Sequence, residues 1–218
     1  MKRNIAITLE KAKEWYNSDN ESLKEVVLQA FSKEELDIFD FTKIKTFEDA
    51  LLCFYKFQSD EYYSTIESVC RLRIVSMASA AMFQLNIIRK ALNLDQDLHL
   101  TKDPKDSHIY YPYNPFVMKN STYYKSELNS GKMEVIGKIK SGGILYNVLG
   151  GCAGCCGGTG LSCFRPYGSV GFADAVVGFL GCASEEIAQH FGKYFGMLIT
   201  EAKYGDMVDF EIIENKYQ

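Results

Sequence analysis

Cys152 and Cys155 form a C-x-x-C pair, Cys156 adjoins them, and Cys163, Cys182 and His190 follow. Thiolate and imidazole are zinc ligands, but a structural zinc site takes four, commonly as two close pairs. No second pair is present, and Cys163 and Cys182 stand alone. A thioredoxin-like redox pair sits at a helix N-terminus in a βαβ setting, and glycines on both sides of this pair argue against such a helix. The commoner reading is cysteine as a small hydrophobe beside glycine and alanine.

The glycines themselves, Gly150 to Gly160 with Thr159 among them, raise phosphate binding. A P-loop needs G-x-x-x-x-G-K-[ST], and no lysine occurs between Lys140 and Lys193. A dinucleotide fingerprint needs a helix after its glycines, and the residues leading to Asp174 do not read as one. His99 and His108 fall in a turn-rich stretch and His190 on a helix, with nothing in the spacing to bring any of them to a thiol. No catalytic residue, metal ligand or cofactor is therefore assigned. The tyrosines from Tyr110 to Tyr124 offer either a ligand platform or, more commonly, packing between helices and sheet.

These residues hang on elements that the pattern predicts. Thr8 opens a helix over residues 9–17, Ser18 with Glu21 a second to residue 31, and Ser32 with Glu35 a short third. Thr46 and Asp49 open a helix over 47–57. Ser64 and Glu67 open the longest, ending near 93, with Ile66, Cys70, Ile74, Met77, Ala81, Leu85, Ile88 and Leu92 as one stripe facing a core or a partner helix. Beyond residue 94 the chain changes to prolines, turns and aromatics. Strands are expected over 133–139 and 144–149, with Ser141-Gly142-Gly143 as the hairpin turn. Ser184 caps a last helix with Ile187, Phe191, Tyr194, Phe195 and Leu198 on its buried side, Gly205 stops it, and residues 208–213 add a strand. The fold class is α+β, a helical region over residues 1–100 and a mixed region over 101–218.

The whole composition sets outer bounds. In 218 residues, 47% hydrophobic content suffices for a sizeable core, and 24 basic against 28 acidic residues, mixed along the chain, leave no footprint for nucleic acid. The charge-free stretch 141–164 is too rich in glycine and polar residues for a membrane span. The apolar run after Arg3 is too short for a signal peptide, so the seven cysteines are expected as reduced thiols in the cytoplasm.

Two resemblances add to this reading. Residues 7–16 (Ile-Thr-Leu-Glu-Lys-Ala-Lys-Glu-Trp-Tyr), 44–50, 87–93, Tyr110-Tyr111-Pro112, Glu186-Ile187-Ala188 and Gly192-Lys193 resemble a group of phage and prophage proteins of gut bacteria. This implies an origin and no mechanism. Val148-Leu149-Gly150-Gly151, followed by Val177-Gly178-Phe179 before Cys182, is similar to the closing half of C-type-lectin-like modules, as in formylglycine-generating enzymes and retroelement-diversified variable proteins. Leu149 and Leu180 stand where those families have arginine. An oxidase of that fold holds copper with a close cysteine pair, a spacing Cys155 does not match. The module implies a ligand face between the two glycine signals, with Cys155, Cys156, Thr159, Arg165, Tyr167, Ser169 and Phe172 as contacts.

The expectation is thus a non-catalytic ligand- or receptor-binding protein of phage or prophage origin. It would recognise a surface ligand or protein, associate with a virion and form homo-oligomers, with neither nucleic acid nor membrane as partner. A thiol- or metal-dependent enzyme built on Cys152, Cys155, Cys156 and Cys163, and an assembly subunit using the Ile66 to Leu92 stripe, are the alternatives.

Overall fold

The computed structural model describes residues 7–18, 20–32, 35–36, 38–94, 108–119, 121–122, 124–157 and 180–217. By contacts the chain divides into two compact units, Met1–Asp40 and Phe41–Gln218. The first holds α1 (Leu9–Tyr16) and α2 (Glu21–Ala30) around Ala12, Val27 and Leu36. Thr8 caps α1 as expected. The cap of α2 is Asn20 and not Ser18, because the Ser18 hydroxyl instead donates to the Trp15 carbonyl at 2.7 Å and closes α1. Ser32 and Glu35 do form a reciprocal capping pair, at 2.8 and 3.2 Å, but no helix continues from it among the described residues.

The second unit begins with a 3-10 helix, Phe41–Lys43, and α3 (Phe47–Leu52), which the Thr46–Asp49 capping box starts where expected. It stops at Leu52, short of the expected 57. The long helix is two helices, α4 (Asp60–Val75), capped by Ser59, and α5 (Met77–Leu92). Ser76 ends one in extended conformation and caps the other. The break divides the stripe. Ala81, Leu85, Ile88 and Leu92 are buried, whereas Cys70 is exposed and Ile74 is 87% exposed.

The rest is mixed α and β. After β1 (His108–Tyr113), β2 (Phe116–Met118) and the short α6 (Lys125–Asn129) come β3 (Glu134–Ser141), β4 (Ile144–Gly150) and β5 (Cys152–Gly157). The long α7 (Glu185–Tyr204) and β6 (Phe210–Asn215) close the chain. An open antiparallel sheet runs β2-β4-β3-β6, and β1 pairs with β5 in a separate antiparallel ribbon. Gly142 and Gly143, at φ of 57° and 80°, make the β3–β4 turn that only glycine adopts easily. Ser184 caps α7 through Ile187, and Gly205 follows its last residue.

Only Asn114 and Pro115 separate β1 from β2, and only Gly151 separates β4 from β5. One pair of strands therefore bends at a shared corner, leaving the sheet and becoming the ribbon. The Leu149 N–H donates to the Pro115 carbonyl across the bend at 3.0 Å. Helix α7 packs along both parts and against α5 on its other side. Ile136, Ile139, Val148 and Met197 form the core beneath the sheet, with Phe191 and Ile187 fully buried further along α7. The chain is thus α+β, helical first and mixed afterwards. No helix among the described residues is long and apolar enough to cross a membrane.

Candidate functional site

Of the expected ligand contacts, Cys155 and Cys156 lie on β5, across from Tyr110 and Ile109 of β1. Thr159, Arg165, Tyr167, Ser169 and Phe172 fall outside the described residues, as do Cys163 and the Val177-Gly178-Phe179 signal. The first signal, Gly150-Gly151, is at the corner, and its glycines have packing reasons. A Cβ on Gly150 would lie 2.7 Å from the Gly192 carbonyl oxygen of α7, and Gly151 has a φ of 95°.

Tyr110 marks a second feature. It exchanges both backbone hydrogen bonds with Cys182, at 2.8 and 3.2 Å, while Cys155 faces it from β5. A residue's N–H and C=O point to one side of its strand. Cys182 therefore lies on the side of β1 away from β5, and the chain that leaves the ribbon after Gly157 meets it again at Cys182.

Cys182 is fully buried, and burial pushes its thiol up to about 12, with Arg89 and Asn93 opposing only weakly. Its Sγ donates to the Leu180 carbonyl. A nucleophilic thiol needs a depressed pKa, so Cys182 is a packing residue. Among the described residues no three Cys, His, Asp or Glu side chains gather as metal ligands.

A different constellation, which the spacing of single motifs does not reveal, forms where α7 meets β3 and the residues just past β6. Glu134 at the start of β3 accepts from Lys193 Nζ at 2.7 Å and the Tyr217 hydroxyl at 2.7 Å, and Lys216 Nζ binds its other oxygen. Partial burial alone would raise this carboxyl, but the Lys193, Lys216 and Tyr217 hydrogen bonds outweigh it and hold it down at about 2. The rings of Tyr194 and Tyr217 meet at 4.8 Å, tilted by 55°. Lys45 and Lys193 sit over Tyr194, at 5.5 and 5.6 Å, and Lys216 over Tyr217 at 5.1 Å.

His190 sets the position of Lys45. Its Nε2 is 2.7 Å from the Ile44 carbonyl oxygen, and its ring packs on Tyr194 at 4.6 Å and against the edge of Phe41 at 5.5 Å. His190 is thus a core-edge residue that ties residues 41–45 to α7. The signal in the sequence is the pair of Lys-Tyr dipeptides, Lys193-Tyr194 and Lys216-Tyr217, which α7 packing on β3 and β6 pairing with β3 bring together around Glu134.

No protein-family model matches the chain, and neither curated proteins nor solved structures match it.

Proposed function

We propose that the chain is a non-catalytic binding protein of phage or prophage origin whose C-terminal region, on a C-type-lectin-like plan, presents a ligand- or receptor-binding face. The observation that carries this reading is the anchoring of both ends of one span on β1. Cys155 faces Tyr110 from one side and Cys182 bonds to it from the other. Binding residues are disproportionately found in segments whose ends a rigid scaffold positions, here a ribbon packed on a long helix. Cys155 and Cys156 stand in its first stem, and Thr159, Arg165, Tyr167, Ser169 and Phe172 lie between the stems. In this reading the protein is made in the cytoplasm, is carried on a particle and meets its ligand on a bacterial surface.

The test is binding of the fluorescently labelled full chain to intact cells of a panel of gut bacteria. Saturable binding to at least one strain is expected, weakened about tenfold or more by Arg165→Ala with Tyr167→Ala and Phe172→Ala. Binding to no strain, or binding indifferent to the triple variant while its melting temperature is unchanged, would overturn the reading.

A further inference from the structure

Three donors converge on Glu134: the ammonium groups of Lys193 and Lys216 and the hydroxyl of Tyr217. Point-charge ammoniums joined by a hydroxyl are how proteins commonly hold an oxyanion. In the free chain the oxyanion is internal. One carboxylate does not neutralise two ammoniums, and Lys45, fixed over Tyr194, adds a third cation that makes no ion pair among the described residues. The donors are open to solutes, Lys193 being 38% and Lys216 49% exposed. This concentration of positive charge stands out in a chain whose formal net charge is -4.

We propose that Lys45, Lys193 and Lys216, grouped around Tyr194 and Tyr217, form a site for the phosphate or carboxylate oxyanion of an extended ligand, and that Glu134 occupies its donors until the ligand displaces it. The site shares no residue with the β5 face, so it stands or falls separately from the reading above. A purely structural ion pair has the opposite signature. Either way the fold loses the ion pairs when the carboxylate charge is removed, but a structural pair then creates no affinity, whereas a displaceable stand-in competes with ligand and its removal strengthens binding.

The experiment is isothermal titration calorimetry of the full chain at low salt with inorganic pyrophosphate and, separately, a galacturonate trimer. Glu134→Gln is expected to bind at least one probe about tenfold more tightly than the unmodified chain. In that background Lys193→Ala and Lys216→Ala should each remove most of the gain, and added sodium chloride should weaken binding. The probe that binds tells phosphate from carboxylate. Failure of both probes to bind, equal affinity with and without Glu134→Gln, or indifference to the lysine substitutions overturns the proposal. Should Glu134→Gln not fold, Lys45→Ala decides. It touches no part of the ion pair and must weaken probe binding by the unmodified chain about threefold or more.

Discussion

Glu134 is a carboxylate whose protonation the fold controls through Lys193, Lys216 and Tyr217. Its carboxyl lies at about 2 in the folded chain against an ordinary 4.5. A depressed carboxyl contributes stability that is fully present above the unfolded value and is lost as pH falls through the folded one. The lysines are more than a third exposed, so solvent screening reduces the contribution to about 1–2 kcal/mol. Glu134→Gln should lower stability by that amount at pH 7 in urea unfolding, and the deficit should shrink as pH falls from 4.5 towards 2. A deficit that stays constant with pH would mean that the ion pairs contribute nothing. None of this was legible from motif spacing. Glu134 is on β3, Lys193 on α7 and Lys216 just past β6, and only the pairing of β6 on β3 together with the packing of α7 against β3 makes them neighbours. The cysteines show the converse. Their spacing suggested chemistry, yet Cys182 is buried with a raised pKa.

Among the elements, the bent strand pair and α7 depend on one another through Asn114. Its amide nitrogen donates to the Leu149 carbonyl at 2.9 Å and the Gly192 carbonyl at 2.7 Å, joining β4 to the helix at the corner. The helix comes this close because it carries glycine at 192 and 196, and a Cβ on Gly196 would lie 2.3 Å from the Asn114 nitrogen. Asn114→Asp replaces the shared donor by an acceptor facing two carbonyls and should cost about 2–3 kcal/mol. Gly196→Ala should cost about 1–3 kcal/mol by overpacking. Since both changes strike one contact, the double variant should lose clearly less than the sum. Chemical denaturation measures all three, and strict additivity would show that the contacts are independent. Local signals were enough to find the β3–β4 hairpin, the cap of α3 and the whole of α7. The α4–α5 break needed a partner far along the chain. Asp206 accepts from the Ser76 hydroxyl at 2.5 Å and the Ala78 N–H at 3.3 Å, stabilising an α5 start that the periodic stripe had hidden.

At the scale of the molecule, the division at Asp40 carries an energetic asymmetry. Among its described residues the first unit buries Ala12, Val27 and Leu36, backed by partly covered neighbours such as Trp15 and Phe31. Chains of about 40 residues without disulfides or metal seldom bury enough surface to offset their conformational entropy. The second unit has the sheet core, the ribbon, and α5 packed along α7 with Leu85, Ile88 and Leu92 fully buried. That burial also bears on assembly, because the half of the expected stripe with the best apolar residues is already committed within the chain. Residues 41–218 expressed alone should therefore unfold in a single cooperative transition, with a melting temperature within a few degrees of the full chain. A peptide of residues 1–40 should show little helix by circular dichroism at 25 °C, since its two helices of 8 and 10 residues are too short to persist without tertiary support. A 41–218 fragment that aggregates or melts without cooperativity would show that the first unit completes the fold of the second, and a helical 1–40 peptide would show that a core this small suffices.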